Sequence, residues 1–165
     1  MTPISAKDVF FDQLKDLNSV EDQVTATLPD LIGWASCEPL KTLLGIHRSA
    51  SERHRQEVKA IFDAHDVSPG NDVCKAMEGL IEGGNQHIQA ASDATVRDLL
   101  LIAHSNRIAH YGIAAYGFTF AIAERACLGL EAQTLADILE VQRAFAKSLS
   151  EVGFEVFGVP VGGVP

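Results

Sequence analysis

VFFDQLKDLNSVEDQVTATLPDL, residues 9–31, is the stretch whose reading decides the fold. Its apolar positions Phe10, Leu14, Leu17, Val24, Leu28 and Leu31 recur in alternating steps of four and three, and Glu21 is the single polar residue in the series. This is the stripe of an amphipathic helix that faces a core, and a strand's period of two does not fit it. Ser5 supplies an N-cap, with Asp8 three residues on in place of a capping-box glutamate. Pro29, near the end of the run, predicts a kink.

The same spacing continues outward. Glu38-Pro39 opens a second helix with proline in the first turn, and its stripe reads Leu40, Leu44, His47, Ser51, His54, Val58, Ile61. Val67-Ser-Pro-Gly-Asn-Asp72 is a turn. A shorter amphipathic helix follows with Val73, Met77, Leu80, Ile81 and Ile88 on its apolar side, weakened at Gly83-Gly84. The third long helix spans Ala94–Asp98 to about Cys127 and carries two stripes. One is Leu101, His104, Ile108, Tyr111, Ala115, Phe118, Ile122; the other, built mostly of small residues, is Ile102, Ser105, Ala109, Gly112, Tyr116, Thr119, Ala123. The fourth is expected from Thr134 to about Val152, with Gly153 as its stop. Four long helices with a short one in the crossover predict an all-α, ferritin-like four-helix bundle over residues 1–153, followed by an extended apolar Gly/Pro-containing tail, 154–165.

Composition narrows the function classes. The chain has 165 residues, 47% of them hydrophobic, and a formal net charge of -9. That suits one globular domain. An acidic chain without a Lys/Arg cluster is not built for nucleic acid. The most apolar stretch, Ile108–Ala123, is too short and too polar to span a bilayer. No basic-then-apolar leader opens the sequence. Cys37, Cys74 and Cys127 are far apart and odd in number, which reads as reduced thiols. The expectation is a cytoplasmic protein that binds neither nucleic acid nor membrane.

Polar residues interrupt the stripes at their middles: Glu21 on the first helix, His47, Ser51 and His54 on the second, Gln142 on the fourth, opposite Ala109 and Gly112 on the third. In an antiparallel bundle these midpoints share one layer, and a buried glutamate is costly there unless paired, hydrogen-bonded or bound to metal. The plainer possibility is that a lone polar residue fixes register. An ion pair or hydrogen bond between Glu21 and His54 would close the layer. His47 and His54 lie seven residues apart, roughly 10 Å along the helix axis, too far for both to hold one ion. His65, His87 and His104 show no partner pattern.

Two segments then take on a family likeness. Cys74-Lys-Ala-Met-Glu-Gly-Leu-Ile-Glu82 resembles the C-x-A-M-E-G-L-I-E signature of the YciF/YciE-like proteins, a ferritin-like family related to rubrerythrin. Ala109-His-Tyr-Gly-Ile-Ala-Ala-Tyr-Gly117 resembles its E-H-Y-E-I-A-x-Y-G motif, and Asp8-Val-Phe10 and Ser19-Val-Glu-Asp-Gln23 also match. The resemblance covers about Ala6 to Val152. It implies a homodimer, a link to bacterial stress responses, and a dinuclear metal site of carboxylates and histidine. Glu21 and His54 match family ligands. Ser51, Ala109, Gly112, Gln142 and Ala146 stand where the resemblance implies the others. A vestigial pair of metal ligands, Glu21 and His54, is therefore expected, with no cofactor bound.

The replacements are mostly small, so the mid-bundle space would be filled by Phe145 or Phe118, by water, or by a small molecule walled by Tyr111 and Tyr116. Three functions follow: a non-catalytic structural or interaction protein, a small-ligand module using the vacated site, or a residual metalloprotein with an unusual ligand set.

Overall fold

The computed structural model describes residues 4–158. They form five helices, α1 (Ala6–Trp34), α2 (Glu38–Ala64), α3 (Lys75–Ala90), α4 (Ala94–Arg125) and α5 (Gly129–Phe157), and among the described residues there is no strand. The Ser5 hydroxyl accepts from the Asp8 amide at 3.1 Å and caps α1 as its sequence requires. α1 runs on through Pro29 to Trp34.

Two apolar clusters show how the long helices are laid. One gathers the end of α1 (Val24, Leu28, Leu31), the start of α2 (Leu40, Leu44), the start of α4 (Leu101, Ile102, Ile108) and the second half of α5 (Phe145, Leu149). The other gathers Phe10, Leu14 and Leu17 with Val58, Ile61, Phe62, Tyr116, Ala123, Leu135 and Ile138. Thus α1 and α5 run one way, and α2 and α4 the other. Since α2 and α4 are parallel, the chain must return the length of the bundle between them, and the segment 65–74 and α3 together make that return.

The crossover is pinned where α3 begins. The Cys74 amide donates to Ser19 Oγ at 2.9 Å, and Gln23 Nε2 donates to the Cys74 carbonyl at 3.1 Å. From there α3 lies against α4 and α1. Its closest approach is at Gly84, where a Cβ would fall 1.9 Å from His104 Nδ1; Gly83-Gly84 weakens the helix but admits the ring.

α5 departs from its expected limits at both ends. It starts at Gly129 instead of Thr134, because Cys127 adopts φ 58° and reverses the chain in a tight turn after α4. It also passes through Gly153, which is buried, and stops at Gly158, whose left-handed φ of 66° closes the helix. Phe154–Phe157, expected in an extended tail, are therefore helical; residues 159–165 of that tail lie outside the described residues.

A clamp that sequence reading did not find joins the α1–α2 turn to α4. Asp98 is buried, and its two oxygens accept from the backbone amides of Ser36 and Cys37 at 2.8 and 2.9 Å. They satisfy free amides beside the start of α2. Asp98→Ala is expected to lower unfolding free energy by about 2–3 kcal/mol, and Asp98→Asn by less, since the amide oxygen replaces one of the two acceptors. Urea unfolding of the three proteins checks this; equal midpoints would show that the clamp carries no stability.

Candidate functional site

The expected mid-bundle residues Glu21, His47, Ser51, His54, Ala109, Gly112, Gln142 and Ala146 are all buried. Glu21 and His54 come together: Glu21 Oε1 lies 3.7 Å from His54 Nδ1. That is too long for a hydrogen bond. The hydrogen bond goes elsewhere. Tyr116 Oη donates to Glu21 Oε1 at 2.7 Å, with the Tyr116 ring edge-on to His54. Tyr116 follows Gly112 by one turn on the small-residue stripe of α4, which lets its ring lie fully inside the bundle. Burial, then the Glu21 carboxyl beside it, push the Tyr116 phenol well above its ordinary range, so it stays a neutral donor.

His47 is held differently. Its ring stacks on Phe145 with centroids 3.6 Å apart and planes 3° from parallel. Neither ring nitrogen has a hydrogen-bond partner in the protein. Burial, reinforced by His54 on the same helix, lowers its pKa to about 3. His47 is thus a neutral, packed ring at working pH. Gly112 faces Gln142, whose amide atoms lie 3.4–3.6 Å from where a Cβ would stand. The small residue on α4 and the longer one on α5 therefore share the space. Ala146 has another surrounding: with His110, Ile113, Arg143, Lys147 and Ser150 it lines an open depression of about 390 Å³ between α4 and α5.

Two expectations need correction. Phe118 does not enter the layer; its side chain is 52% exposed. The α4 stripe that carries it is buried at Leu101, His104 and Ile108; beyond them Ala115 and Ile122 are half-buried against the second cluster, and Phe118 is exposed. Tyr111 does not wall the layer through its hydroxyl, which donates to Asp16 Oδ2 at 3.1 Å and sits 3.1 Å from Cys74 Sγ. Burial, then that thiol and Asp16, raise its pKa.

The remaining polar atoms decide what chemistry the layer supports. Glu21 Oε2, Ser51 Oγ, His54 Nδ1 and Ser105 Oγ are buried without protein partners. Among the described residues no three His, Cys, Asp or Glu side chains converge on a point. One carboxyl and one imidazole do not neutralise and bridge two divalent cations, and a serine or amide adds no charge. The donor set does not fit a dinuclear centre.

Known proteins share this architecture. The family model described as "Domain of unknown function (DUF892)" matches residues 5–156. Protein YciF of Escherichia coli K12 is 31% identical over 147 residues, spanning 88% of this chain and 89% of its own length. The crystal structure of the E. coli stress protein YciF superposes with a TM-score of 0.87 at 30% identity, covering 93% of this chain and 96% of that one. YcfI of Rhodopseudomonas palustris, provisionally described as a structural protein, superposes with a TM-score of 0.85 at 26% identity, covering 88% and 93%.

The layer has a pH signature. His47 titrates near 6.5 when unfolded and about 3 when folded. Above pH 6.5 it is neutral in both states. As pH falls below 6.5 the unfolded chain takes up a proton that the folded chain refuses, so stability declines until about pH 3. His104, lowered by burial and then by Arg107 to about 4, acts in the same sense. Between pH 6.5 and 4.5 a His47→Leu variant should lose about 2–3 kcal/mol less stability than the parent. Urea midpoints at the two pH values read this directly, and parallel losses in both proteins would refute the buried neutral ring.

Proposed function

The chain belongs to the DUF892 family, and on that premise we propose that it is a non-catalytic structural member in which a polar core with a single carboxyl stands where the resemblance implies a dinuclear metal site. The observation that carries this reading is the 2.7 Å hydrogen bond from Tyr116 to Glu21. It commits the one carboxyl of the layer to a neutral phenol. The facing positions hold no anion: Ser51, Ala109 and Gly112 on two helices, Gln142 on a third.

The relatives support the same direction. YciF is described as a stress protein and YcfI provisionally as a structural one. In this reading the fold itself is the function, and the working unit is a cytoplasmic homodimer. Free thiols at Cys37, Cys74 and Cys127 suit a reducing compartment. No described helix is long and apolar enough to cross a membrane. A small-molecule guest in the vacated layer would have to displace Gln142 from Gly112 or part Phe145 from His47, both at contact distance. The layer is therefore read as packed side chains.

Metal loading tests the proposal. Protein purified without chelator and incubated anaerobically with ferrous iron, then separately with manganese, should retain well under one metal per chain by elemental mass spectrometry. Retention of about two per chain would overturn the reading. A companion Tyr116→Phe variant should lose about 1.5–3 kcal/mol of stability, because it leaves Glu21 buried without its donor; an unchanged melting midpoint would mean that the hydrogen bond is not what holds the layer.

A further inference from the structure

α4 and α5 run side by side in opposite directions, and the groove between them opens into the depression of about 390 Å³ lined by His110, Ile113, Arg143, Ala146, Lys147 and Ser150. Across this pair of helices Gly112 faces Gln142, and Gly117 faces Leu139. On that register the turn of α4 from Arg107 to His110 lies opposite the turns of α5 that hold Arg143 and Lys147. The side chains of Arg107, His110, Arg143 and Lys147 are all exposed. Ile113, half-buried, and Ala146, buried, give the depression an apolar floor.

The charge pattern selects what can sit there. The chain holds 22 acidic residues against 13 basic ones, so acids are the commoner partner for any cation on its surface. Across this groove they are missing. From Leu99 to Ala123 the one charged residue is Arg107, and from Val141 to Ser150 the charged residues are Arg143 and Lys147. Cations thus face cations, and no acid lines the depression. Glu140 pairs with Arg143 at 2.5 Å and Glu151 with Lys147 at 3.7 Å, but both pairs run along α5 in solvent, with the glutamates 70% and 56% exposed. Exposed pairs of that kind contribute little and leave donors free on both cations. His110 Nδ1 donates to the Asn106 carbonyl at 2.9 Å, which leaves Nε2 as the ring nitrogen able to take a proton toward an anion.

We propose that this depression is an anion site for a small organic phosphate, its phosphoryl group held by Arg143, Lys147 and the free nitrogen of His110, and its apolar body resting on Ile113 and Ala146. Like charges held across a groove repel, and a dianion between them removes that repulsion. The planar guanidinium suits a pair of phosphoryl oxygens, and the ammonium adds a compact charge beside it. A volume of about 390 Å³ and an apolar floor suit an organic group attached to the phosphate. The site adds a binding role to the structural reading and stands without it.

Titration of the full chain with phenyl phosphate at constant ionic strength, followed by amide NMR, tests it. Saturable shifts centred on His110, Ala146 and Ser150 are expected in the parent. Arg143→Gln combined with Lys147→Gln should weaken binding about tenfold or more. Arg53→Gln combined with Lys59→Gln makes the same charge change at exposed positions of α2 and should leave binding unchanged. Equal weakening by the two pairs would reveal diffuse attraction to surface charge and overturn the site, as would shifts that never saturate. Inorganic phosphate is expected to shift the same amides with lower affinity; equal affinity for the two probes would overturn the organic body of the ligand.

Discussion

A carboxyl group buried at the waist of a helical bundle must be given hydrogen bonds or a counter-charge, because water cannot reach it. Glu21 is that group here, and much of the mid-bundle arrangement answers it. Tyr116 turns inward to donate to it, and His54 stands within electrostatic reach. Gly112 and Ala109 precede Tyr116 on its stripe and leave room beside it; a Cβ at 112 would already stand in contact with the Gln142 amide, 3.4 Å away. The apolar core divides into two clusters on either side of this layer, so the bundle behaves as two oil-like ends joined by a polar waist.

The crossover is the second organising constraint. Because α2 and α4 are parallel, α3 has to return the chain, and each of its attachments is specific. Ser19 and Gln23 hold its start. Gly84 admits the His104 ring, and Asn85 Nδ2 donates to Thr27 Oγ1 at 3.2 Å. At the other pole of the bundle His65, just past α2, meets Glu131 in the first turn of α5 at 2.6 Å. These contacts tie helices that are distant in sequence, while Asp98 ties the first turn of the chain to α4.

The helices are legible because their apolar spacing is regular over many turns, and the polar layer because it breaks that spacing at the midpoints of three helices. What was not legible depended on direction. Tyr116 reads as one more apolar residue of a stripe, and nothing local reveals that its hydroxyl ends 2.7 Å from Glu21, on another helix. Asp98 looks like a surface charge near the start of α4; its partners are backbone amides, which carry no sequence signal. Phe118 fits its stripe by spacing, yet it is exposed while Ala115 and Ile122 on the same stripe pack against the core. The limits of α5 were missed because Gly153 and Thr134 are strong punctuation locally, while burial of Gly153 and the turn at Cys127 override them. The family likeness identified the positions of absent ligands, which no periodicity could do.

The division of the core has a consequence for how the molecule breathes. The two apolar clusters share no buried residue, only half-buried Ile113 packing against both, across a waist whose Ser51, Ser105 and His47 polar atoms have no protein partners. Breaking the structure at that plane exposes groups that gain hydrogen bonds to water, whereas breaking it within either cluster exposes only hydrocarbon. Partial opening is therefore cheapest as fraying of one end up to the waist, with the opposite end still closed. Amide hydrogens in the two halves then exchange as separate cooperative units, and the waist acts as the seam between them.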